Sequence, residues 1–218
     1  MIDYTSARLN MVESQIRPNK VTDRAVLEAL LAVPRERFVP DALRGIAYVD
    51  EALPLSSGRF LMEPMVFGRL LQLAAIARGD AVLDVGCGTG YGSAVMARLG
   101  GHVFALEEDA ALAARARTCL GVLALDTVEL IEGPLSIGWP SRAPYAVILF
   151  EGAVDAVPPA IAGQLAEGGR LLAVVHSEDG MGRGVLMTRN GGVLGQRAVF
   201  DAALPLLPGF ARQPSFAF

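Results

Sequence analysis

The sequence predicts an α/β protein with a mainly parallel sheet and helices on both faces. Three observations predict it. From Ala81 onward short apolar runs alternate with helical ones. Those runs are apolar throughout, as in strands buried on both sides. One of them passes straight into a glycine turn at Gly86-Cys87-Gly88-Thr89-Gly90, the place where an open sheet of this class receives a ligand.

The elements follow in order. Thr22 and Asp23 are cap-type residues before Ala25–Leu31, and Pro34 closes that helix by biasing Val33 away from helical geometry. Residues 38–61 read as extended. Pro64 suits the first turn of a helix whose apolar positions run through Val66, Leu70, Leu71 and Leu73 to a stop at Gly79. Strands are expected at Ala81–Val85, Val103–Leu106, Val128–Ile131, Val147–Phe150 and, after Gly168-Gly169, Arg170–Val175. Helices are expected at Ala94–Leu99, Ala110–Leu120 and around Pro158–Leu165. Val185–Thr188 and Gln196–Phe200, separated by Asn190-Gly191-Gly192, read as an antiparallel pair finishing the sheet. The expectation is one domain over residues 1–218, with residues 1–63 as an N-terminal extension to an α/β core at 64–218.

Composition excludes several function classes. A net charge of −4 with scattered arginines leaves no electrostatic footprint for nucleic acid. The hydrophobic fraction is 52%, but the apolar runs are far too short to span a bilayer. The start, Met1-Ile2-Asp3-Tyr4, lacks the pattern of a secretory signal, so the cytoplasm is expected. Cys87 lies inside the glycine turn and is read, with Cys119, as a free thiol. With only His102 and His176 and no Cys or His cluster, no metal is expected.

The glycine turn discriminates between cofactors. A dinucleotide pattern G-x-G-x-x-G would need glycine at position 91, which is Tyr91; starting from Gly88 it fails at Ser93. An acidic strand residue, Asp84, followed by G-x-G-x-G is the form found in S-adenosylmethionine (SAM) methyltransferases. Free N–H groups at the helix start are expected to face the ligand. About twenty residues on, the next strand ends at Glu107, placed to accept hydrogen bonds from ribose hydroxyls. Asp84 is expected near the cofactor's amino acid end, with loop bracing as the other reading. Tyr91 is more often packing than a face for the sulfonium.

Separated motifs extend the reading: Met11–Ile16, Val33-Pro34-Arg35-Glu36-Arg37-Phe38-Val39-Pro40, Ala47-Tyr48 to Leu53-Pro54, Gly138-Trp139-Pro140 with Ala143-Pro144-Tyr145, and Phe200 through Leu204-Pro205-Leu206. In this order they resemble the protein-L-isoaspartate O-methyltransferase family nearly end to end. The resemblance implies a Rossmann-like SAM-binding fold and carboxyl O-methylation of L-isoaspartyl residues in a protein or peptide substrate. It implies cofactor contacts from Asp84, Gly86, Cys87, Gly88, Thr89, Gly90, Glu107, Gly133, Pro134 and Leu135. It also implies substrate contacts from Arg59, Phe60, Leu61, Glu151, Leu204 and Pro205.

Three positions depart from the family pattern. The substrate loop Gly58-Arg59-Phe60-Leu61-Met62-Glu63-Pro64 has Met62 where the family has serine at the reaction centre, and a thioether cannot donate a hydrogen bond. Ser56 and Ser57 lie nearby but out of register. Pro134 stands where the family has an aspartate near adenine, which leaves apolar packing and the N–H of Leu135 to hold the base. Glu151 adds negative charge after the strand, which a cation such as Arg59 would have to offset. Beside isoaspartyl methylation two alternatives stay open: another acceptor methylated with the same cofactor, or a non-catalytic SAM-binding or interaction protein.

Overall fold

A computed structural model describes residues 2–177 and 181–212. The N-terminal extension begins with helix α1 (Tyr4–Met11), capped by the Asp3 carboxylate, which accepts from the amides of Thr5 and Ser6. It continues through a π-helical turn at Val12–Ile16 to α2 (Arg24–Ala32). Asp23 caps α2 as its sequence position predicts, accepting from Ala25 N at 2.8 Å and Val26 N at 3.2 Å, and Val33 leaves the helix in an extended conformation before Pro34.

Residues 38–61 are not extended, contrary to the sequence expectation. They form a 3₁₀ turn at Asp41–Ile46 and a two-strand ribbon, β1 (Leu53–Pro54) against β2 (Phe60–Leu61). Pro40 starts the 3₁₀ turn, and an ion pair between Arg44 and Asp41 at 3.0 Å spans it. Helix α3 (Pro64–Ala74) starts at its proline but stops before Gly79, because Ala75 already takes a left-handed conformation.

The main sheet has seven strands in the order β5-β4-β3-β6-β7-β8-β9: β3 (Ala81–Val85), β4 (His102–Glu107), β5 (Val128–Glu132), β6 (Tyr145–Val154), β7 (Leu165–His176), β8 (Gly182–Asn190) and β9 (Val193–Asp201). β3 to β7 run parallel to one another; β8 pairs antiparallel with β7, and β9 antiparallel with β8. Gly168-Gly169 proves to be an irregularity inside β7 rather than a loop before it, so β7 starts at Leu165 and α6 shrinks to Pro159–Ala162. Gly191-Gly192 joins β8 to β9 with both residues at positive φ, as a two-residue hairpin of this twist requires.

Helices α4 (Tyr91–Arg98) and α5 (Ala110–Val122) connect β3 to β4 and β4 to β5; α4 begins three residues earlier than its apolar pattern suggests. Side chains alternate along the buried strands between two cores. Val147 and Leu149 of β6 enter the core shared with α2, α3 and α4, while Ile148 and Phe150 enter the core shared with α6. This two-sided burial explains the unbroken apolar runs. β3 pairs with β4 on one side and β6 on the other, so the strand order reverses at β3, and the crevice of the sheet opens beyond its carboxyl end.

Candidate cofactor and acceptor site

The glycine turn lies at that crevice, between the end of β3 and α4. Gly86 and Gly88 both have positive φ, and the side chains of Arg59 and Leu55 approach to 2.7 and 3.0 Å of where a Cβ would stand. The left-handed backbone favours glycine at both positions, and a side chain at 86 would have to push the Arg59 guanidinium aside. The turn satisfies most of its own amides. Gly86 N and Cys87 N donate to Leu106 O, Gly90 N to Cys87 O, and Gly88 N to Glu107 Oε2. These four N–H groups are spent on holding the turn, because a tight turn stays put only when its polar groups are paired; the first turn of α4, which Gly90 precedes, has no side-chain cap.

Glu107, at the end of β4, is fully buried and accepts backbone N–H bonds from Gly88, Glu108 and Asp109 at 2.8, 3.0 and 3.1 Å. Its remaining partner is Arg59. The Arg59 guanidinium reaches both Glu107 oxygens from Nη1, at 2.7 and 3.0 Å, and Nη2 donates to Gly86 O at 2.5 Å. Arg59 thus pairs directly with Glu107 over the end of β3, while its charge also acts on the Glu151 carboxyl and favours the ionised form.

Asp84 is also fully buried. It accepts the Ser93 hydroxyl at 2.5 Å on one oxygen, while the other has no partner. Burial pushes its pKa up to about 7, the neighbouring Glu107 charge adds to the rise, and the Ser93 bond opposes it. Cys87 is buried beside these carboxylates, and desolvation holds its thiol protonated. Thr89 turns away: its hydroxyl donates to Phe38 O at 2.6 Å and ties the glycine turn to the N-terminal extension.

Around Gly133, Pro134 and Leu135 one expectation is corrected. Gly133 N donates to Glu107 O, but Leu135 N donates to Glu108 Oε2 at 3.3 Å, so that N–H is taken. Leu135 itself is fully buried in the second core. Tyr91 is packing too, sitting 5.6 Å from Phe38 and 5.7 Å from Phe67 between ring centroids.

On the acceptor side a cavity of about 10 Å³ is lined by Phe60, Met62, Glu151, Gly152, Leu204 and Pro205, among others. Leu61 is not part of it; strand alternation turns it into the core, while Phe60 faces the cavity. Ser56 and Ser57 are exposed, so neither replaces the missing serine. Glu151 is the single polar side chain of the lining; it is 6% exposed and its Oε1 has no partner. Burial pushes the Glu151 carboxyl well above the usual range, helped by Asp84 and opposed by Arg59 and Arg35.

Arg35 is a residue that sequence reasoning missed. It is fully buried, donates to Ala47 O and Met62 O at 2.7 Å each, and holds its guanidinium 5.0 Å above the Tyr91 ring. It fixes the backbone of Met62 in the cavity wall. Nothing in the charged run Arg35-Glu36-Arg37 separates it from a solvated turn.

The chain matches the family model for protein-L-isoaspartate(D-aspartate) O-methyltransferase over residues 6–199. It belongs to that family. This methyltransferase chain is 44% identical over 178 residues to a protein-L-isoaspartate O-methyltransferase of Methylorubrum extorquens, covering 82% of this chain and 78% of that one. It is 38% identical over 212 residues to one from Chromohalobacter salexigens, covering 95% and 92%. The fold also matches a solved structure of a putative enzyme of that name from Plasmodium falciparum in complex with S-adenosyl-L-homocysteine. That match has a TM-score of 0.80 at 19% identity and covers 95% of this chain and 99% of that one. As a member of the family, the protein is a SAM-dependent methyltransferase with a Rossmann-like fold. Among the described residues no helix is long and apolar enough to cross a membrane.

Proposed function

We propose that the protein transfers the methyl group of SAM to the free carboxylate of L-isoaspartyl residues in damaged proteins or peptides, in the cytoplasm. The observation that carries this reading is the family match over residues 6–199, which takes in the glycine turn and most of the acceptor wall.

The residues at the crevice fit the cofactor. The turn presents no side chain of its own at Gly86, Glu107 offers a fixed two-oxygen acceptor, and the unpartnered Asp84 oxygen is a buried acceptor awaiting a donor. In this reading Glu107 takes ribose hydroxyls, Asp84 and the Gly86 carbonyl face the amino acid end, and the segment 133–135 borders the base by apolar packing. The bound cofactor supplies an electrophilic methyl group on a sulfonium.

The acceptor side has little chemistry to perform. A carboxylate of ordinary pKa near 4 is already ionised at neutral pH, so no general base is needed. Alignment of acceptor oxygen, methyl carbon and sulfur is the main task. Phe60, Met62, Leu204 and Pro205 give the acceptor an apolar, water-poor wall. Within that wall the Glu151 carboxyl, raised by burial, donates its O–H to the incoming carboxylate in its protonated form; ionised, it would repel it.

Labelled SAM incubated with an isoaspartyl peptide should give a base-labile methyl ester, and the matched aspartyl peptide should give none. Equal labelling of the two, or none of either, overturns the substrate assignment.

A further inference from the structure

We propose that Arg59 is a built-in occupant of the cofactor site, and that displacement of its guanidinium by SAM opens the acceptor cavity. The inference rests on the cofactor reading of the crevice given above.

The guanidinium already uses the groups that a ligand would need. It spans both oxygens of Glu107 and the carbonyl of Gly86, and Arg59 is only 3% exposed. Its Nη2 stands 2.7 Å from the position a Cβ would take on Gly86. The bare side of the turn is therefore filled, and a ligand reaching Gly86 and Glu107 excludes the arginine. An ammonium group and a ribose diol bring the same kind of donors to the same two acceptors, so the exchange replaces like with like.

The side chain is placed to leave. Glu107 keeps three backbone N–H donors without it, and so does not become a bare buried charge. Arg59 Nε is buried with no partner, a penalty that withdrawal into water removes. The arginine sits on a ribbon of two-residue strands, a length with little stability of its own. Its turn is held by Leu55 N donating to Arg59 O at 2.9 Å and Arg59 N donating to Ser56 O at 2.7 Å.

Departure of Arg59 reaches the acceptor through its neighbour. Phe60, the next residue, forms a wall of the cavity, and at about 10 Å³ that cavity holds no more than one water molecule. An acceptor side chain seated fully within it requires the wall to move. A ligand shifts such an equilibrium only through differential affinity, and here the two states differ in whether Glu107 and Gly86 are available.

Calorimetry with S-adenosyl-L-homocysteine on the wild type and on Arg59→Gln tests the competition. The variant should bind roughly ten-fold tighter, the gain expected if the open state is about one-tenth populated. Amide hydrogen exchange on the wild type tests the opening without any variant: the amides of Leu55 and Arg59 should exchange faster when S-adenosyl-L-homocysteine is bound. Equal or weaker binding by a folded variant overturns the competition, and unchanged or slower exchange at those amides overturns the opening. If neither protein binds S-adenosyl-L-homocysteine at millimolar concentration, the cofactor reading falls and the proposal with it, an outcome distinct from equal affinity.

Discussion

Glu151 makes the acceptor cavity a pH-sensitive surface. Asp84, Arg59 and Arg35 contribute charge to its carboxyl, and the Tyr91 ring packs against Arg35 behind it. Its carboxyl is raised chiefly by burial, so the donating form persists to higher pH than in an ordinary carboxyl and is lost as the pH climbs through the raised value. Isoaspartyl methylation by the wild type should therefore fall on the alkaline side in kcat/KM. Glu151→Gln keeps an N–H donor that cannot titrate, so it should retain activity within about ten-fold and show no alkaline limb from this group. Glu151→Ala, without a donor, should lose activity at all pH values. A wild-type limb that persists unchanged in Glu151→Gln counts against this assignment.

At the scale of elements, local chemistry and tertiary placement divide cleanly. Asp23 illustrates the first: two N–H bonds to its carboxylate start α2, and Asp23→Ala should lower stability by about 1 kcal/mol in urea unfolding at unchanged m-value. Asp23, Pro64, the glycine turn and Gly191-Gly192 were legible because each acts within a few residues of itself. The segment 38–61 was not, since its short turns carry no period and are held by distant partners, such as Tyr48 O accepting from Gln15 Nε2. Arg59 shows the same limit at the site. A sequence marks it only as a cation in a loop; its burial is decided by Glu107, 48 residues further on. The capture of Leu135 N–H by Glu108 likewise depends on the fold of the β4 and β5 loops together.

The whole molecule carries a cost of building this site. Asp84 has its folded pKa raised from 3.8 to about 7, and Glu151 is raised as well. A carboxyl raised on folding stabilises fully below its unfolded value, and that contribution is lost as pH rises through the folded one, because the native state then binds more protons than the unfolded chain. For Asp84 the window runs from 3.8 to about 7. Thermal melts should show the ligand-free protein losing stability between about pH 4 and about pH 7, and Asp84→Asn should flatten that decline. A Tm that rises over this range in the wild type, or a slope untouched by the variant, would contradict the prediction.

The return of the chain after β9 has a kinetic meaning. Leu206 pairs with Ala153, and Ala153 N donates to Pro205 O, which docks the last wall of the acceptor cavity against β6 some fifty residues upstream. Contacts of such sequence separation form late, after the loop-closure entropy of the intervening strands has been met. During synthesis, the glycine turn and Glu107 can be paired while residues 204–207 are still within the ribosome. The wall formed by residues 204–207 is thus among the last parts of the fold to close.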